Sequence, residues 1–297
     1  MNARMTIPLT KGLLAAGLLL TAAGPADAQP GKMDPKTEQL IKSINWKPGP
    51  FKAKLGSVAE VDVPAKYVFV EQQDMAKYAE LNQNPHNPNS LGALMPEDKD
   101  ADWVILFQFE DSGYVKDDEK DKLDADAILD SIRKGTEAAN ETRKTRGWAP
   151  LIINGWEQKP FYDNDTKNLS WAITATSAGR PVINYNSRIL GRRGVMSANL
   201  IVSDSQELQK TLPTFKKLLG GYTYVANERY SEFRSGDKVA AYGLAALIGG
   251  GVAAAAAKSG LLGKLLKPII VGVVVVCSAI GALFKKIFGR GQPAQEG

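Results

Sequence analysis

The sequence predicts an α+β fold: an antiparallel sheet covered by helices, placed between an export leader and a C-terminal transmembrane helical hairpin or single span. Three observations lead there. Residues 151–158, 169–176, 182–190 and 195–203 read as strands joined by short turn-rich loops, and short joints imply antiparallel neighbours. The stretch from about Ser205 to Leu219 carries Leu208, Leu212, Phe215, Leu218 and Leu219 on one helical face, which suits it to cover a sheet. Residues 239–257 and 268–284 are uncharged, and both approach the length that crosses a bilayer.

Taken in order, residues 1–28 have the form of a signal peptide. Arg4 and Lys11 precede an apolar run at 12–24 that is too short to span, and Ala26-Asp27-Ala28 forms a small-x-small cleavage site, so processing leaves Gln29 first. An uncleaved N-terminal anchor is the alternative. Asp34-Pro35 then caps a helix through Ile41 and Ile44, which Pro48-Gly49-Pro50 stops. Strands are expected at 51–55, 59–63 and 66–70, a helix at 74–81 and a turn-rich loop at 82–90. The run 103–109 is apolar enough for a central strand.

Residues 97–130 hold 13 acidic side chains against four lysines. An EF-hand loop begun at Asp124 places Leu129 where the sharp-turn glycine belongs and Gly135 where the bidentate glutamate belongs. The acids are better explained by a helix. Asp121, Asp124 and Asp126 crowd its first turn, Ile128, Leu129 and Ile132 form its apolar stripe, and Arg143, Lys144 and Arg146 lie at its far end, the order a helix dipole favours. No metal site is expected there.

At the C-terminus the two apolar runs are separated by a linker with Lys258, Lys264 and Lys267, and the tail at 285–297 carries Lys285, Lys286 and Arg290. The equal basic scores leave the positive-inside rule without a preference. A hairpin returns the tail to the outside, whereas a single span at 268–284 places it inside. Small residues in the first run, among them Ala241, Ala245 and Gly249, would let a second helix approach closely. The domain organisation expected is therefore a signal peptide at 1–28, an exported domain at 29–238, spans at 239–257 and 268–284, and a tail.

The net charge of +5 is carried by the ends, since residues 29–238 hold 29 basic and 30 acidic side chains. A body that grips nucleic acid needs a basic surplus, so no nucleic acid partner is expected. One His and one Cys leave most metalloenzyme and nucleophilic classes without their parts. His86 lies between prolines in a loop, neither Ser112 nor Ser177 sits in a nucleophile elbow, and no phosphate-binding glycine motif follows a strand. Glu157 and Asp163 are a carboxylate pair of the kind glycan cleavage requires, at a separation the sequence does not define. No cofactor and no catalytic residue is assigned.

The binding candidate is the turn Arg188-Ile-Leu-Gly-Arg-Arg-Gly194. Arg188, Arg192 and Arg193, with Asn184 and Tyr185 nearby, would present guanidinium forks to phosphate or carboxylate. The competing reading is a hydrated hairpin tip, or arginines paired with the protein's own acids. Trp148, Trp156 and Trp171 fit core positions or a sugar platform. Tyr222, Tyr224, Tyr230 and Phe233 precede the first apolar run and fit an aromatic belt at the membrane interface, with Tyr230 and Phe233 nearest the bilayer.

Several of these residues also carry a resemblance. Gly113-Tyr-Val-Lys-Asp-Asp118, Asn140, Arg143, Gly147, Gly155-Trp156, Trp171, Asn184-Tyr185, Arg188, Leu190-Gly-Arg192, Gly194, Tyr230, Phe233, Gly236-Asp-Lys238 and Ala240-Ala-Tyr-Gly243 occur in order along the chain. In these it resembles DUF2167, a family of bacterial membrane-anchored proteins catalogued as a domain of unknown function. The resemblance implies an exported domain tethered by a C-terminal membrane segment, and implies no reaction, cofactor or catalytic residue.

The function expected is that of a membrane-anchored envelope protein at the bacterial inner membrane. Its non-enzymatic domain faces the periplasm and binds a partner protein or an anionic envelope component. Membrane lipid is the other expected partner. The alternative is a membrane-tethered enzyme acting on cell-envelope glycan or lipid, and a channel component is a third reading that requires oligomers.

Overall fold

The computed structural model describes residues 34–249, apart from 99, 100, 122 and 165. The expected signal peptide, the second apolar run and the tail lie outside the described residues, as do residues 250–257 of the first run. The chain forms α1 (Pro35–Ser43), β1 (Trp46–Pro48), β2 (Phe51–Leu55), β3 (Ala59–Val63), β4 (Tyr67–Glu71), α2 (Met75–Leu81), β5 (Ser90–Pro96), β6 (Trp103–Glu110) and α3 (Ala125–Thr145). It continues through β7 (Leu151–Asp163), β8 (Asn168–Ser177), β9 (Arg180–Leu190), β10 (Val195–Val202), α4 (Ser205–Leu219), β11 (Tyr222–Tyr224) and α5 (Leu244–Gly249).

The expected α+β architecture is present. Eight strands form one sheet in the order β1-β4-β5-β6-β10-β9-β8-β7, every neighbouring pair antiparallel, and β11-β3-β2 form a smaller sheet. Three helices start on an aspartate whose carboxylate accepts backbone N–H bonds. Asp34 takes Thr37 N at 3.0 Å, Asp124 takes Ala127 N at 3.0 Å, and Asp204 takes Glu207 N at 2.9 Å. The acidic start of α3 is thus a helix cap, and no cluster of three or more metal-ligating side chains occurs among the described residues.

Strand alternation gives the large sheet two different faces. On one, Ile105 and Phe107 of β6, Ala198 and Leu200 of β10, and Ile183 and Tyr185 of β9 pack with Leu208, Phe215 and Leu218 of α4 and with the small sheet. The other face is covered in two separate places. Toward β4 and β5, Val68, Val70, Ala93 and Met95 pack under Met75 and Tyr78 of α2. Toward β8, Leu169, Trp171 and Ile173 pack under Ile128 of α3 and under Leu244, Leu247 and Ile248 of α5. The middle of this face, on β6, β10 and β9, lies between the two covers.

Two elements depart from the sequence reading. Strand β5 has the composition Ser-Leu-Gly-Ala-Leu-Met-Pro, weak in β-branched residues, and was not expected. Its Gly92 is required by packing, because a Cβ there would meet the Phe69 ring at 2.2 Å from Cζ. The second departure is the start of the first apolar run. Val239 pairs with Tyr114 in an isolated parallel bridge, the Tyr242 hydroxyl donates to Glu110, and Leu244, Leu247 and Ile248 are 0%, 3% and 4% exposed. Residues 239–249 therefore extend the domain beyond the expected boundary at 238. Among the described residues no helix is long and apolar enough to cross a membrane. A run of Leu, Ala and Ile satisfies a protein core as readily as lipid, and here α3 and the sheet supply that core.

Candidate functional site

The gap between the two helical covers is a cleft of about 510 Å³. Its floor is the middle of the sheet, and its walls come from α2 and the following loop, from α3, and from Ile248 of α5. Seven side-chain amides line it: Asn82, Asn84, Asn87, Gln108, Asn184, Asn186 and Asn199. Among the described residues Arg188 is the one charged side chain in the lining. The remainder is mostly apolar, including Val104, Ile132, Ile153, Trp171, Ile173 and Ile201.

Cross-strand register explains why the polar groups meet. Asn184, Asn186 and Arg188 alternate along β9 and so share one face, Asn186 lies opposite Asn199 of β10, and Asn184 lies opposite Ile201. The register of β6 against β10 places Gln108 opposite Ser197, the residue that faces Arg188 from the other side. The Arg188 Nη1–H donates to Asn199 Oδ1 at 2.9 Å, and its guanidinium lies 4.8 Å from the centre of the Trp171 ring. Burial lowers the Arg188 pKa to about 10 against the opposing pull of Glu110. None of the ion pairs among the described residues includes Arg188.

The walls are held by their own hydrogen bonds. Asn87 Nδ2 donates to Gln108 Oε1 at 3.2 Å, and Asn82 Nδ2 donates to the Tyr78 carbonyl at 2.8 Å. The buried Arg143 of α3 donates to the Ala149 carbonyl at 2.7 Å and to Asn84 Oδ1 at 2.8 Å, fixing the loop after α2 against α3. Asn140 exchanges two bonds with the Leu151 backbone, at 2.8 and 2.9 Å, and so docks α3 on the end of β7. The Tyr78 hydroxyl is buried in the cleft wall without a hydrogen bond of normal geometry, and burial raises its pKa.

The residues expected to form a binding turn separate into three environments. Asn184 and Arg188 enter the cleft. Tyr185 points to the opposite face, where it is buried and packs edge-on against Phe215 with ring centres 5.5 Å apart. Arg192 forms a two-point bond with Asp237, through Nε at 2.6 Å and Nη2 at 2.7 Å, and this partner lowers the Asp237 pKa to about 2. Arg193 Nε lies 2.8 Å from both carboxylate oxygens of Glu228. Both guanidinium groups are engaged within the chain, because the segment after β11 brings acids directly to the turn.

The same turn explains its glycines. A Cβ on Gly191 would meet the Tyr224 ring at 2.6 Å, and one on Gly194 would meet the Glu110 carbonyl oxygen at 2.1 Å. The buried Tyr224 hydroxyl donates to the Ile189 carbonyl at 2.7 Å and accepts from Met196 N at 3.0 Å. Tyr224 is thereby fixed in the core and unavailable to a bilayer. Tyr230 stacks on Tyr114 with centres 4.5 Å apart and donates to the Val115 carbonyl, while Phe233 lies 4.2 Å from Tyr114 and is 37% exposed. The backbone continues the clasp, with Arg192 N donating to Glu228 O and Gly113 N to Arg193 O, each at 2.8 Å.

The other sequence candidates lie outside the cleft. His86 is exposed. Glu157 accepts from Thr174 Oγ1, and Asp163 accepts from Thr166 N, both on the β7 side of the sheet. The amides of α2, its loop, β6 and β10 were not singled out from sequence. The available signal was on β9, where polar residues at 184, 186 and 188 occupy every second position of a strand with strands on both sides.

Comparison with known proteins gives a family and distant structural likenesses. No curated protein matches the chain. The solution structure of the cyanobacterial PsbP protein CyanoP from Synechocystis is similar with a TM-score of 0.35 and 9% identity, covering 68% of this chain and 99% of that one. The Ran-binding protein Mog1p of Saccharomyces cerevisiae gives 0.29 and 9%, covering 65% and 100%. The sequence model described as protein of unknown function (DUF2167) matches residues 47–281. That match takes in the sheet, the cleft, the arginine turn and the segment that clasps it, and the chain belongs to the DUF2167 family.

Proposed function

We propose that this chain is a binding domain of the bacterial envelope, exported by its leader, held at the inner membrane by a C-terminal apolar segment, and receiving its ligand in the cleft. The observation that carries the reading is the cleft's composition. Four amides and one guanidinium lie on the middle of a sheet, where strand alternation would otherwise place apolar side chains to complete a core, and three more amides face them from the loop after α2. Carboxamides bind by donating and accepting hydrogen bonds and have no useful acid–base chemistry near neutral pH. A concave site of this size with a few convergent polar groups is the usual form of a ligand pocket.

The anchor is assigned to residues 268–284. With Leu244, Leu247 and Ile248 in the domain core, the run 239–257 has too few residues left over to span, which favours a single crossing over a hairpin. A domain outside the cytoplasm then leaves the tail inside, where Lys285, Lys286 and Arg290 satisfy the positive-inside preference.

Fractionation tests this reading. Full-length protein is expected in the membrane pellet after a high-salt wash, with Gln29 at its N-terminus. A version ending at Gly249 is expected in the osmotic-shock fluid. Recovery of the full-length chain from the cytosol without detergent would refute the assignment.

A further inference from the structure

We propose that the cleft recognises a small carboxylate-bearing amide of the kind presented by the free C-terminal end of a short peptide, with Arg188 receiving the carboxylate. This rests on the reading of the cleft as the ligand site and adds the ligand's chemistry.

Charge comes first. Among the described residues Arg188 is the one charged side chain lining the cleft. The nearby Glu110 takes the Tyr242 hydroxyl bond and makes no ion pair with Arg188. A guanidinium has five N–H donors in a planar fork. One goes to Asn199 Oδ1, which leaves donors suited to a planar, singly charged carboxylate. A dianion such as phosphate would be only half neutralised in a partly desolvated site.

The second consideration is the amides. Asn184 on β9 brings a carbonyl and an NH₂ group, Asn186 keeps its carbonyl and one N–H beside the bond from Nδ2 to the Asn184 backbone carbonyl, and Gln108 keeps its NH₂ group beside the bond its Oε1 accepts from Asn87, so the floor offers donors and acceptors together. A peptide group presents the same pair. The Tyr78 hydroxyl adds a buried polar atom in the same wall, near Asn82 and without a hydrogen bond of normal geometry. The third is shape. Ile173 and Ile201 flank Asn184 on its two neighbouring strands, Ile132 and Ile248 line the helical wall, and together they suit apolar side chains between peptide units. A stacked sugar ring is disfavoured because both aromatic side chains of the lining, Trp171 and Tyr78, are buried at 2% and 4% exposure, and Arg188 lies over Trp171.

The test uses the full-length chain in nanodiscs and equilibrium dialysis, with retained peptide measured by mass spectrometry. The probes are an equimolar tripeptide library with free C-termini and the same library amidated. Free-acid peptides are expected to be retained at least tenfold more than their amides. Arg188→Lys, which keeps the charge and loses the fork, is expected to reduce that retention at least tenfold. Asn184→Leu supplies the same test if Arg188→Lys does not melt cooperatively. Inorganic phosphate at equal concentration is expected not to displace the peptides. Equal retention of acids and amides, or displacement by phosphate, would overturn the carboxylate assignment while leaving a ligand cleft. Retention of neither library would remove both this inference and the reading of the cleft beneath it.

Discussion

Cutting the chain at residue 238 or at residue 249 separates two accounts of its first apolar run. The perturbation is loss of α5, with Leu244, Leu247 and Ile248 all essentially inaccessible to solvent. Burying one such side chain stabilises a fold by about 1.5–3 kcal/mol, so removing three costs about 5–9 kcal/mol. A domain's whole stability is about 5–15 kcal/mol. The protein spanning residues 29–249 is therefore expected to unfold cooperatively. The one spanning 29–238 is expected either to lack a cooperative transition or to melt at least about 10 °C lower, at about 2–4 °C per kcal/mol for a domain of this size. The assay is thermal and urea unfolding followed by near-UV circular dichroism, which reports the packing of aromatic side chains. If the shorter protein melts within about 2 °C of the longer one, α5 adds nothing to the core, and lipid regains its claim on residues 239–257.

Two further outcomes follow from the clasp at the β9–β10 turn. Tyr224→Phe strands the Ile189 carbonyl and the Met196 N–H at about 1–3 kcal/mol each, whereas Tyr222→Phe deletes a buried hydroxyl that makes no hydrogen bond of normal geometry. Urea midpoints are expected to fall clearly for the first and to stay nearly level for the second, and equal losses would contradict the assignment. Arg192 holds the Asp237 pKa down at about 2, so the stability this carboxylate contributes is present above its ordinary range and lost as pH falls through about 4 to 2. Wild-type protein should therefore lose stability more steeply over that interval than Asp237→Asn, as read by melting temperature against pH.

What the sequence made legible was what local chemistry determines. The aspartate cap of α1, the acidic first turn of α3, the apolar face of α4 and the four strands β7 to β10 were readable because turn, cap and period are properties of neighbouring residues. Strand β5 was hidden by its glycine and alanine, and the glycine is there because the Phe69 ring occupies the space where a Cβ on Gly92 would lie. The fate of residues 239–249 was hidden for another reason. Hydropathy measures a preference for leaving water and does not say whether protein or lipid receives the side chain. Arg192 and Arg193 looked available because Asp237 and Glu228 lie more than thirty residues further along the chain.

The arginine turn and the proposed ligand cleft are different places, and the difference follows from how each is built. A clasp needs glycines where backbones approach and arginines where acids arrive, so it leaves a dense motif at 188–194 that is easily read as a site. The cleft draws its side chains from α2 and its loop, β6, β9 and β10, and only the alternation at 184, 186 and 188 on β9 shows a pattern within one segment. Arg188 alone belongs to both stretches. It opens the motif in sequence, yet strand alternation turns it away from the buried Tyr185 and toward Asn199 and Trp171. A clasp built around Tyr224, Gly191 and Gly194 fixes the β9–β10 hairpin on which Arg188 reaches diagonally to Asn199. In the proposed reading the motif thus contributes mainly through position, by holding that pair in register, and supplies one contact of its own, Arg188, the others coming from residues outside it.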